Sequence, residues 1–87
     1  MSTSPPSAHR LHLQFFARLR EEAGCSALEL ETCAPTPAAL YEELQRTRGL
    51  RVPRGVIRVA VNARYATMET PLRGGDTVVF IPPVAGG

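Results

Sequence analysis

The chain has 87 residues, is 44% hydrophobic and carries a formal net charge of only +2, which describes one small domain with a modest core and no room for a separate cofactor domain. The apolar fraction excludes a disordered chain, no apolar run approaches the ~20 residues needed to cross a bilayer, and Ser2 to His9 does not read as a secretory signal, so a cytoplasmic protein off the membrane is expected. The basic residues are all arginine, scattered from Arg10 to Arg73 without a basic stripe or interleaved aromatics, and nucleic acid is therefore not an expected partner.

Met1 to His9 has no hydrophobic period and contains Pro5-Pro6; residues 1–9 read as a flexible leader ahead of a domain spanning 10–83. Leu11 to Phe15 alternates apolar and polar residues, as in a half-buried strand with Leu11, Leu13 and Phe15 inward, and Phe16 breaks the alternation and points outward. Arg18 to Gly24 is short and helix-tolerant. Ala27 to Thr32 alternates cleanly and reads as a second strand, a hairpin partner of the first. Thr36-Pro37 starts a helix, with threonine as N-cap and proline at the first helical position, and the helix runs to about Arg48 before Gly49 stops it. Leu40 and Leu44 lie on its buried face, Glu42 and Arg46 form an i,i+4 pair, and Glu42 and Glu43 belong to a solvated face rather than to an acid-base site.

Leu50 to Gly55 is a loop, Val56 to Asn62 a third strand, and Tyr65-Ala66-Thr67 a short segment beyond a turn at Asn62. Pro71 to Asp76 is a compact turn, which Asp76 helps to fix by bonding nearby backbone N–H groups; it lacks the lysine and following helix of a phosphate loop. Thr77 to Ile81 is a nearly continuous apolar run, suited to a central strand. Two strands, a crossover helix and a return to the sheet describe an α+β single-domain, ubiquitin-like β-grasp: a mixed sheet of about four to five strands covered by one main helix, with the last strand beside the first.

Cys25 and Cys33 are too few and too widely spaced for a metal site, and both read as structural or incidental thiols. The more informative stretch is the end, Pro82-Pro83-Val84-Ala85-Gly86-Gly87. Proline has no N–H for a sheet ladder, so Pro82 and Pro83 stop the last strand and launch residues 84–87 as an extended diglycine tail. At ~3.3 Å per residue, Val84 to Gly87 carries the carboxylate ~13 Å past the last proline, far enough to enter another protein's active site. Two terminal glycines let that arm pass a narrow channel.

Phe15-Phe16-Ala17-Arg18-Leu19-Arg20, Val61-Asn62, Pro71-Leu72 with Gly75-Asp76, and Phe80-Ile81-Pro82-Pro83-Val84-Ala85-Gly86-Gly87 together resemble the small subunits of molybdopterin synthase, a family of ubiquitin-like sulfur carriers, over roughly Leu11 to Gly87. The resemblance implies that the Gly87 carboxylate, presented by Gly86, is adenylated by a ubiquitin-activating-type adenylyltransferase that uses ATP. A sulfur-donating protein then provides the sulfur of a thiocarboxylate. The tail next enters the molybdopterin synthase large subunit, where that sulfur goes to a cyclic pyranopterin. The chain itself is expected to bind no metal and no cofactor, and not to be an enzyme alone.

The resemblance also implies partner-binding residues. Phe16 and Ile81 point to the solvent face of their strands, Tyr65 sits where the family uses a hydrophobic residue to meet its partners, and Pro82, Pro83, Val84 and Ala85 form the arm. Related carriers deliver sulfur to thiamine, cysteine or thiolated tRNA, and a protein modifier ends in the same diglycine. The Phe-Phe-Ala-Arg segment and the double proline favour molybdopterin among these alternatives.

Overall fold

The computed structural model describes residues 8–83, so residues 1–7 of the expected leader and the whole expected tail, Val84 to Gly87, lie outside the described residues. Strand β1 (His9–Phe15) is followed by a short helix α1 (Ala17–Ala23), strand β2 (Ala27–Thr32), the main helix α2 (Pro37–Arg48), strands β3 (Arg58–Val61) and β4 (Arg64–Ala66), and strand β5 (Thr77–Ile81). The strands form one sheet in the order β2-β1-β5-β3-β4. β1 and β5 run parallel and the other neighbours antiparallel, which makes the sheet mixed and puts the last strand beside the first. This is the β-grasp arrangement expected from the element order.

Alternation decides which side of the sheet is covered. Leu11, Leu13 and Phe15 of β1, Val59 of β3, and Val78 and Phe80 of β5 are buried, together with Leu40, Tyr41 and Leu44 of α2. The Phe80 ring meets Tyr41 edge-on, with centroids 5.2 Å apart at 65°. Helix α2 begins as its sequence dictates, the Thr36 hydroxyl accepting the Ala39 N–H and Pro37 occupying the first turn, and ends at Gly49 with φ 73°. Helix α1 ends the same way, Gly24 at φ 82° donating its N–H to the Arg20 carbonyl.

Four local expectations change. β1 begins at His9, whose Cα pairs with Thr32 and whose ring nitrogen Nε2 lies 2.8 Å from the Ala34 carbonyl oxygen, so His9 belongs to the sheet. Val56 and Ile57 are not strand. Pro53 and Arg54 carbonyls accept the Val56 and Ile57 N–H groups at 3.2 and 3.1 Å, and this 3-10 turn satisfies locally the donors a strand would offer sideways. Glu42 pairs with Arg54 at 3.1 Å instead of Arg46, which bonds the Glu42 backbone carbonyl. Glu43 is half-buried and accepts the hydroxyl of the buried Thr32.

Candidate functional site

Among the described residues, α2 covers one face of the sheet and leaves the opposite face open. In register, Gln14 lies beside Val79, Val79 beside Ala60, and Ala60 beside Tyr65, so these four form one row across the uncovered face. One residue pair further along, Arg58 lies beside Ile81, and Phe16 follows Gln14 at the same edge. The β1 ladder stops at the Phe15–Phe80 pair, which leaves Ile81 paired to β3 alone. Pro82 is buried against the domain and Pro83 is exposed, so the chain leaves the sheet at this edge.

Two grooves flank that exit. The first, ≈680 Å³, lies between Phe16 and Val56, floored by Val52 and Pro53 and closed by Ile81 with the two prolines. The second, ≈730 Å³, lies between Val56 and Tyr65 and shares Ile81, Pro82 and Pro83 with the first. Phe16, Val56 and Tyr65 are 51%, 48% and 84% exposed and are the large exposed hydrophobics among the described residues. All three surround the exit, an arrangement unlike the scattered apolar residues of an ordinary surface. The fold brings Phe16, Tyr65, Ile81, Pro82 and Pro83 together around this edge and adds Val56, a residue of the apolar run expected to be strand. The Pro53-Arg54-Gly55 sequence ahead of it was the available signal for a turn.

Polar contacts hold the walls. The Glu22 carboxylate accepts the backbone N–H groups of Arg51 at 2.8 Å and Val52 at 3.4 Å, and the Arg18 side chain at 3.2 Å. Burial alone would push the Glu22 carboxyl up, but these hydrogen bonds and the Arg18 charge outweigh it and hold the group below its ordinary 4.5. From the core side, the Tyr41 hydroxyl donates to the Val52 carbonyl at 2.6 Å. Burial, with the negative Glu22 adding to it, pushes the Tyr41 phenol up to about 12, so it stays a donor. Segment 51–52 is therefore pinned on both sides.

Tyr65 is placed by a two-residue turn. Asn62 and Ala63, at φ 53° and 69°, join β3 to β4 in the left-handed geometry that matches the twist of a hairpin. The Asn62 side chain accepts the Thr77 N–H and donates to Asp76, both at 2.9 Å, and Asp76 accepts the Arg73 N–H at 2.8 Å, as its expected turn-fixing role requires. The start of β5 and the β3–β4 turn are thereby tied together. Phe16 is followed by Ala17 at φ 51°, a third left-handed residue, which swings the chain from the strand into α1.

The ThiS family model matches residues 13–87. The chain belongs to the ThiS family. Two curated relatives span nearly all of it: the molybdopterin synthase sulfur carrier subunit of Haemophilus influenzae, 35% identical over 88% of this chain and 99% of the relative, and that of Escherichia coli, 40% identical over 84% and 94%. Among solved structures, the Haloferax volcanii HVO 2177 protein is similar at a TM-score of 0.79 and 25% identity, covering 100% of this chain and 94% of the other. The protein-protein complex of subunits 1 and 2 of the molybdopterin-converting factor from Helicobacter pylori contains a chain similar at a TM-score of 0.62 and 26% identity, covering 90% and 99%.

In this ThiS-family chain, the remaining residues expected at the site, Val84, Ala85, Gly86 and Gly87, lie outside the described residues. Cys25 is half-buried and Cys33 exposed, and neither lines the grooves beside the exit. Among the described residues there is no group of three or more His, Cys, Asp or Glu side chains placed to hold a metal ion, and no helix long and apolar enough to cross a membrane.

Proposed function

We propose that this chain is the sulfur carrier subunit of a molybdopterin synthase, a cytoplasmic cosubstrate that carries sulfur on its C-terminal Gly87 and is not catalytic alone. The observation that carries the reading is the placement of Ile81-Pro82-Pro83 between two grooves, ringed by Phe16, Val56 and Tyr65, in a chain whose relatives over nearly its whole length are molybdopterin synthase sulfur carrier subunits. The exit of the tail and the docking surface are one place.

The chemistry follows from the terminal group. A carboxylate is a poor electrophile because its charge repels nucleophiles. An ATP-dependent, ubiquitin-activating-type partner joins the Gly87 carboxylate to AMP with release of pyrophosphate, which gives the acyl group a good leaving group. A sulfur-donating protein supplies sulfur at the sulfide level, which attacks the acyl carbon, displaces AMP and leaves a thiocarboxylate, a softer and more nucleophilic anion. Inside the large subunit that sulfur bonds to a side-chain carbon of the cyclic pyranopterin as the oxygen on that carbon leaves, and water hydrolyses the resulting thioester, keeping the sulfur on the pterin and releasing Gly87 as a carboxylate. Two carriers are consumed per dithiolene. The general base belongs to the partners, since no histidine and no lysine lines the grooves at the tail base among the described residues.

Incubating the thiocarboxylated protein with a large subunit and the pyranopterin precursor tests the reading: dithiolene should form and Gly87 should return to a carboxylate. Failure with that precursor, alongside turnover with a cysteine- or thiazole-forming enzyme, assigns the chain to another sulfur pathway.

A further inference from the structure

The grooves at the tail exit are lined mainly by apolar residues, and the charged residues that line them are all of one sign. Arg18 and Arg51 line the first and Arg58 the second, and no carboxylate lines either one among the described residues. Arg18 is already paired with Glu22 at 3.2 Å. Arg10 is paired with Glu29 and Arg54 with Glu42, but Arg51 and Arg58 have no ion-pair partner among the described residues. Arg58 shares the open sheet face with Ile81, its cross-strand neighbour, and Arg51 belongs to the segment that Glu22 pins through its backbone. Arg51 thus lines one groove and Arg58 the other, and the two grooves share Val56, Ile81, Pro82 and Pro83.

We propose that the groove between Phe16 and Val56 receives a bulky apolar side chain of the large subunit, and that carboxylates flanking this anchor pair with Arg51 and Arg58. The proposal rests on the function given above and names the partner's chemistry at that same surface. An apolar centre supplies affinity by desolvation, whereas exposed rim charges act mainly on the association rate and on which partner docks. Arg51 and Arg58 therefore steer, and Val56 with Phe16 holds.

Association with the large subunit of the same organism, followed by stopped-flow or surface binding across roughly 50 to 500 mM salt, separates these roles. Arg51→Gln with Arg58→Gln should slow association about tenfold at low salt and remove most of the salt dependence while leaving dissociation nearly unchanged. Arg46→Gln, on the exposed face of α2, should change neither. Val56→Ala should speed dissociation several-fold, and Val56→Asp should do so further, because it places a carboxylate opposite carboxylates. Circular dichroism confirms that each variant is folded. Wild-type association and salt dependence in the double arginine variant overturn the acidic rim, and wild-type dissociation in both Val56 variants overturns the anchor. A further arm deletes residues 84–87: faster association would mean that the chain's own terminus competes for the groove, and would overturn the assignment to the partner. Binding that is absent in every form, wild type included, refutes the functional reading itself and not the chemistry of the rim.

Discussion

Replacing Glu22 by alanine removes the acceptor that holds the wall of the first groove. Two backbone N–H groups, of Arg51 and Val52, and the Arg18 side chain lose their partner at a side chain only 11% exposed. Hydrogen bonds to a charged acceptor contribute about 1.5–3 kcal/mol, and the Arg18 pair, with arginine largely exposed, adds little. A loss of about 2 kcal/mol corresponds to a fall of roughly 8–16 °C in Tm for a domain of this size. Glu22→Gln keeps one acceptor oxygen and the shape of the side chain, and should lose about half as much. The pH dependence gives the sharper test. The carboxyl lies below its ordinary 4.5 in the folded protein, so its contribution is fully present above 4.5 and is lost as pH falls through the lowered folded value. The Tm gap between wild type and Glu22→Gln should accordingly be constant from neutral pH down to 4.5 and close below it, and amide exchange at Arg51 and Val52 should quicken in the variant. A gap that does not change with pH, or protection at both amides equal to wild type, would refute the clamp.

Phe16→Ala and Ile81→Ala should each weaken binding to the large subunit by about 2 kcal/mol, some thirtyfold, by calorimetry, while Phe16→Ala changes folding stability by about 0.5 kcal/mol or less; two wild-type affinities would displace the docking surface. Ala63→Gly removes a side chain from a left-handed position at φ 69° and should raise stability by about 0.5–1 kcal/mol in urea unfolding, and a decrease would contradict the turn geometry. Asn62→Ala breaks the bonds to Asp76 and Thr77 and should cost about 1 kcal/mol or more, whereas an unchanged midpoint would show that the turn stands without them.

Local signals were strongest where one residue type has one physical use. Thr36-Pro37 and Gly49 bounded α2, the alternation from Ala27 to Thr32 bounded β2, and the parity break at Phe16 announced an outward aromatic, all as the structure has them. The start of β1 was hidden because His9 and Arg10 lie at the polar end of the strand, opposite Thr32 and Glu31, where no apolar period marks pairing. Val56 was misplaced because an apolar run looks the same whether a residue faces the core or a groove; only the turn that Pro53 and Gly55 permit separates Val56 from Ile57. The clamp from Glu22 and the arginine rim could not be read at all. Glu22 reaches residues about thirty positions away, and Arg51 and Arg58 flank Ile81 only because β5 inserts between β1 and β3. Such sites are made by topology.

The claim that Gly87 carries the sulfur is tested most directly by the intact mass of the protein purified from its own host, followed by fragmentation of the C-terminal peptide. A sulfur-carrying terminus should give a species in which one oxygen is exchanged for one sulfur, located at Gly87, stable to thiol reductant and lost on incubation with the large subunit and the pyranopterin precursor. Sulfur found instead on Cys25 or Cys33, gained without loss of oxygen and released by reductant, or a terminus that is an unmodified carboxylate in every preparation, would contradict it.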